Sequence, residues 1–191
     1  MSRGRLARGL LLSVLLPVPA QAQLSELRFG AIGSFVAADA YRWGAGLTVG
    51  YAPGRLASVG LRWIYYFGST EQQADASGSY DVTNRAQLFG ADLALEFPLG
   101  AAEIVAGGTL GAVRFWQRTA PVGNSATEAV ATEFVVAPMV MLLLRTGRVM
   151  LVPQIAYYFA GSPDLRWPVD HAGLALSLSV VFPIETDRIR Y

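Results

Sequence analysis

Bulky apolar side chains recur at every second position of this chain, with small or polar residues between them, segment after segment. Trp43, Ala45, Leu47, Val49 and Tyr51 share one parity, against Arg42, Gly44, Gly46, Thr48 and Gly50. Val59, Leu61, Trp63, Tyr65 and Phe67 repeat the pattern, as do Phe89, Ala91, Leu93, Leu95 and Phe97, and then Leu174, Leu176, Leu178, Val180 and Phe182. Successive side chains of a strand point to opposite faces, whereas a helix would spread these residues round its circumference. The period therefore predicts an all-β chain, with strands at 27–37, 42–52, 57–68, 83–97, 102–117, 132–144, 149–160 and 172–183. The fifth segment changes apolar phase near Gly111, which predicts a bulge. The sixth, Phe134–Leu144, is apolar on both faces, so its orientation stays open. That apolar run is too short for a spanning helix but matches the ~9–11 residues of a tilted spanning strand.

The connections alternate in kind. Those after strands two, four and six are tight, at 52–56, 98–101 and 145–148; those after three, five and seven are longer and polar, at 69–82, 118–131 and 161–171. Only the first, 38–41, breaks the rule by being short. Short turns at one end and long loops at the other are the grammar of an antiparallel up-and-down transmembrane β-barrel with an even strand number.

Alternation alone does not separate a membrane barrel from a lipocalin-like secreted carrier, whose apolar face turns inward. Three features favour the membrane. The less apolar face is built largely of small residues, Gly44, Gly46, Gly50, Ser58, Gly60, Gly90, Ser177 and Ser179 among them, which suits a narrow interior. The chain has no lysine to furnish a soluble exterior. Aromatic residues fall near strand ends, Tyr51, Phe97 and Phe182 at the turn end and Trp43, Trp63, Tyr65, Phe67 and Phe159 toward the loop end, as interfacial girdles would. A closed barrel also satisfies its backbone hydrogen bonds without water.

The N-terminus reads as an address. Arg3, Arg5 and Arg8 precede the apolar stretch Gly9–Val18, and Ala20-Gln21-Ala22 has the small-x-small form of a cleavage site. Residues 1–22 are thus expected to be a cleaved signal peptide, 23–183 the barrel and 184–191 a short periplasmic tail. Without the signal, 12 arginines face 14 acids, a net charge of 12 − 14 = −2, and no basic patch suggests nucleic acid. With no cysteine there is no disulfide, thiolate metal site or Cys nucleophile.

In these respects the chain resembles the small eight-stranded bacterial outer-membrane barrels, the group of outer membrane protein X and the transmembrane domain of outer membrane protein A. The closing segment Gly173-Leu-Ala-Leu-Ser-Leu-Ser-Val-Val-Phe182 is similar to the aromatic-ended last strand that the insertion machinery of that group recognises. Here the chain continues to Tyr191, so that signal ends at Phe182 or at Tyr191. The resemblance implies a monomer in the outer membrane whose partners are membrane lipid, lipopolysaccharide and the insertion machinery.

Candidate chemistry is sparse. Arg62, Asp92, Glu96 and Glu103 fall on lumen parity and form either an ion-selective constriction or a salt-bridged plug; the small bore of eight strands favours the plug. His171, the single histidine, would need a nucleophile within hydrogen-bond reach to act as a base. Ser177 and Ser179 share its parity but stand about 20 Å or more away at ~3.3 Å per residue. One histidine and scattered acids make no metal site, and no cofactor is expected. Arg114 and Arg118 lie near the loop end, where arginine suits phosphate, although ordinary ion pairs would also use them. The expectation is a non-enzymatic barrel with an envelope-integrity or surface-interaction role. The alternatives are a narrow channel for small or apolar solutes, a lipid-modifying barrel enzyme and the lipocalin-like carrier.

Overall fold

The computed structural model describes residues 25–54, 56–76, 78–121 and 125–186. The signal peptide expected over 1–22 and the last residues of the expected tail lie outside them. Eight strands follow in order: β1 (Glu26–Val36), β2 (Arg42–Ala52), β3 (Ala57–Asp75), β4 (Gly78–Leu99), β5 (Ala102–Pro121), β6 (Thr127–Thr146), β7 (Val149–Ala160) and β8 (Gly173–Glu185). Each pairs antiparallel with the next, and β8 returns to β1, from Val36 opposite Ala175 to Glu26 opposite Glu185, closing the barrel. The alternation of the sequence becomes inside and outside. Leu47, Leu61, Phe89, Leu93, Phe134, Leu176 and Phe182 are exposed on the wall, while Ile32, Ile64, Leu88, Val113 and Met150 fill the lumen.

Three expectations are corrected. The bulge is not at Gly111: β5 keeps unbroken register with β4 and β6 throughout, and Val105, Thr109, Val113, Phe115 and Gln117 all point inward. The apparent phase change arises because small Ala106, Gly108 and Ala112 sit on the outer face while Val113 and Phe115 sit inside. The register shift lies instead in β3, between Tyr66 and Ser69. There Gly68 takes a left-handed φ of 67°, and a Cβ would stand 1.7 Å from the Asn84 carbonyl oxygen. Only glycine fits so close an approach with that backbone.

The second correction concerns the strands beyond this bulge. The polar stretches at 69–82 and 118–131 are not long loops. β3 and β4 continue to Asp75 and from Gly78, and β5 and β6 continue to Pro121 and from Thr127. Beyond Tyr66, β3 has left β2, and β6 meets β7 only from Val135, so β3–β6 rise past the rim as a four-stranded fin. Third, β8 does not stop at Pro183. Pro183, Ile184 and Glu185 stay paired with Arg28, Leu27 and Glu26, and the Thr186 amide donates to the Ser25 carbonyl.

The orientation of β6 is now fixed. Val135, Ala137, Met139, Met141 and Leu143 face the lumen, and Phe134, Val136, Pro138 and Val140 face out. Beside Met150 and Val152 of β7 they give the bore one apolar wall, opposite the charged wall of β1, β3 and β4.

Candidate functional site

The lumen is filled in three layers. At the turn end, Arg28 of β1 donates through both Nη atoms to the Glu96 carboxylate, Nη2 to Oε2 at 3.1 Å, and through Nε to Glu26 at 3.0 Å. Arg145 of β6 reaches Glu26 at 2.9 Å and Glu103 at 3.4 Å. A carboxylate bonded by both arms of a guanidinium is among the stronger charge pairs available to a protein.

In the middle, Arg62 grips Asp92 across the β3–β4 pair, Nη2 to Oδ2 at 2.6 Å and Nε to both carboxylate oxygens. Thr109 of β5 donates to Asp92 at 2.6 Å. The guanidinium then crosses the bore to Gln154 Oε1 on β7 at 3.2 Å and to Met139 Sδ on β6 at 3.4 Å. A group that touches β4, β6 and β7 from β3 leaves little passage beside it. A chamber of about 80 Å³ remains between this layer and Arg28, walled by Ile32, Val105, Leu143 and Val181.

At the loop end, the short connection at 37–41 folds inward. The Tyr41 and Arg42 amides both donate to the Ala38 carbonyl, and Arg42 holds a left-handed φ of 54° with its side chain on Asp39 at 2.7 Å. Tyr41 is driven into the mouth, fully buried, edge-on to Tyr66, Phe115 and Tyr158. Its hydroxyl donates to the His171 carbonyl. Burial, and then the neighbouring Tyr158, hold that hydroxyl far above the usual phenol range, so it remains a donor. Beneath it the Tyr66 and Tyr158 hydroxyls meet at 2.9 Å and Ser34 joins Ser177 at 2.9 Å.

The four charges singled out from the sequence therefore occupy two separate layers. Arg62 and Asp92 pair mid-bore; Glu96 and Glu103 belong to the turn end, where Arg28 and Arg145 neutralise them. Parity could have found Arg28 and Arg145, since both fall on the lumen face of their strands. Tyr41 carries no such signal, because its inward turn depends on the connection. The girdle residues Trp43, Tyr51, Phe67, Phe97, Phe159 and Phe182 are exposed on the outer wall, with Trp63 and Tyr65 half-buried beside them.

His171 has a serine that sequence separation hid. Ser162 Oγ lies 3.4 Å from His171 Nε2, both in the β7–β8 connection. The ring is held through Nδ1 by the Val169 carbonyl at 3.1 Å rather than by Asp170. The same connection lies over the fin: the Trp167 amide donates to Gln117 Oε1 at 2.9 Å and Arg166 packs on the Tyr80 ring. Asp75, in the acidic stretch at 69–82, pairs with Arg166 at 3.4 Å. Among the described residues no cluster of His, Cys, Asp and Glu has metal-binding form.

No protein-family model matches this chain, and no curated protein is detectably similar to it in sequence. Solved structures are similar in fold. A major outer membrane protein of Thermus thermophilus aligns with a TM-score of 0.64 at 13% identity, over 84% of this chain and 99% of that one. Neisserial surface protein A aligns with a TM-score of 0.57 at 13% identity, over 84% and 96%. Ail, the attachment invasion locus protein of Yersinia pestis, solved with the heparin analogue sucrose octasulfate, aligns with a TM-score of 0.54 at 13% identity, over 85% and 99%. The chain has the fold of the small eight-stranded outer-membrane β-barrels.

Proposed function

We propose that this chain is an outer-membrane protein whose barrel serves as a sealed anchor and whose work is surface interaction by the fin, rather than transport or catalysis. One observation carries the reading: every layer of the bore is closed by paired side chains, while four strands project past the rim. The outer wall supports the membrane setting, since an apolar band from Ile104 to Ala112 on β5 has the length a tilted strand needs to cross. A channel would need an open path, which Arg62, reaching across the bore to Gln154, and Tyr41, buried in its mouth, obstruct. Catalysis by Ser162 would need oxyanion donors aimed at a reacting carbonyl, and the Ser162–His171 contact is exposed and long.

The test compares cells making the full chain with cells making a form in which 69–82 and 118–131 are each replaced by a tight turn. Loss of attachment to a gelatin-coated surface, with unchanged resistance to detergent, supports the reading. Unchanged attachment with lost detergent resistance would instead favour an envelope-integrity role, and steady conductance in planar bilayers would favour transport.

A further inference from the structure

On the lipid-facing side of β4 and β5, the apolar band ends in arginine. Outward positions on β5 run Ile104, Ala106, Gly108, Leu110, Ala112 and then Arg114, Trp116 and Arg118. On β4 they run Phe97, Leu95, Leu93, Ala91, Phe89 and then Gln87 and Arg85. Register places Arg85 directly opposite Trp116, with Arg114 and Arg118 flanking that indole along β5. The Arg114 guanidinium lies over the Trp116 ring at 5.0 Å. All three arginines are exposed, and among the described residues none forms an ion pair. Glu128 stands opposite Arg118, and Asp81 lies two positions from Arg118's partner Thr83 on β4, whereas Arg85 and Arg114 have no carboxylate directly opposite them in the register.

An arginine on the lipid face costs about 2–4 kcal/mol at mid-bilayer and close to nothing at the interface. Three of them around one tryptophan therefore mark headgroup height. Below them, toward the turn end, the same wall is concave. Leu47, Leu61, Trp63, Phe89 and Leu110 line an apolar trough around the small outward side chain of Ala91, with the Gly90 and Gly111 backbone at its floor. Phe89 and Leu110 of the trough lie on the strands that carry Arg85 and Arg114, roughly 13 Å further along at ~3.3 Å per residue.

From this arrangement we infer a lipid site on the outer wall of β2–β5: the arginines take the phosphates of a phosphorylated lipid headgroup and the trough takes one of its acyl chains. Guanidinium forks match phosphate oxygens in pairs, and a chain laid beside Ala91 fills a concavity that flat packing would leave open. The inference rests on the membrane-barrel reading above and adds to it a specific place on the wall, with Arg85 and the trough as parts that the sequence did not single out.

The full chain, refolded into neutral detergent and checked for a heat-dependent gel shift, is mixed with bisphosphorylated lipid A, with the same lipid dephosphorylated, or with sucrose octasulfate. Retention is read by native mass spectrometry. The bisphosphorylated lipid should be retained about tenfold better than its dephosphorylated form, the scale of one charge-assisted hydrogen bond. Arg85→Gln with Arg114→Gln should erase that preference and leave the heat shift unchanged; if the pair does not fold, the single variants are measured instead. Ala91→Phe, which fills the trough, should weaken both lipids. Equal retention of the two lipids, or a preference indifferent to the arginine variants, overturns the site while the folded barrel stands. Retention of sucrose octasulfate as tight as lipid A also overturns it, in favour of a soluble polyanion. A chain soluble without detergent and lacking a heat shift removes the membrane reading and the lipid site together.

Discussion

The Tyr41 hydroxyl donates to the His171 carbonyl at 3.1 Å, tying the first connection of the barrel to its last. That bond joins two segments with little secondary structure of their own, across a mouth packed with Tyr66, Phe115 and Tyr158. The seal is thus a tertiary object, assembled from a turn that folds in and a loop that folds over.

Tyr41→Ala should accordingly cost about 3–5 kcal/mol, the range for emptying a large buried aromatic site. Tyr41→Phe keeps the packing and loses one hydrogen bond, about 1 kcal/mol. Urea unfolding followed by the gel shift measures both. Equal losses would mean that the hydroxyl, not the ring, holds the mouth.

Asp92 accepts hydrogen bonds from Arg62 and Thr109 within the bore. Asp92→Ala leaves a guanidinium buried among Met139, Gln154 and the lumen wall, and should cost about 3–5 kcal/mol. Replacing both partners, Arg62→Met with Asp92→Leu, should cost far less, since neither charge is left behind. Neither variant should conduct in planar bilayers, because the tyrosine layer still closes the mouth. A current from Asp92→Ala alone would place the barrier at the charge pair.

The strand order and the inside–outside parity were legible because an apolar outer face is demanded wherever a wall meets an apolar medium, the setting proposed above for this barrel. Above the rim that demand lapses. Ser69–Asp75 and Thr127–Glu133 then carry no apolar alternation to announce them, though the backbone pairs just as regularly. Gln72 opposite Asp81 and Arg118 opposite Glu128 are strand partners that look like loop residues. The apparent break at Gly111 has the converse cause, an outer face locally made small by Ala106, Gly108 and Ala112. Arg28 and Arg145 were within reach of parity; Ser162 beside His171 was not, because a loop with no period brought them together.

That serine and histidine also make a test of the non-enzymatic reading. Detergent-folded protein should cleave a fatty-acyl nitrophenyl ester no faster than Ser162→Ala does. The substituted side chain is exposed and makes one weak contact, so the variant should unfold within about 0.5 kcal/mol of the parent. A rate above background that Ser162→Ala and His171→Ala both abolish would make the pair catalytic.

Two glycines of opposite parity separate close strand approach from open wall. A Cβ at Gly46 would stand 1.9 Å from the Trp63 carbonyl oxygen, a backbone atom that moves only if β2 and β3 move apart. At Gly33, on the outer face of β1, a Cβ meets nothing within 4 Å. Gly46→Val should therefore fail to give the compact unboiled species, or give it only at lowered temperature. Gly33→Leu should fold normally and stay compact to the same or a higher temperature, because a leucine there enters the apolar medium around the barrel. If the outer face met water instead, the added leucine would bring no gain and would promote aggregation. The pair therefore reports which side of the wall is greasy as well as how closely β2 and β3 approach.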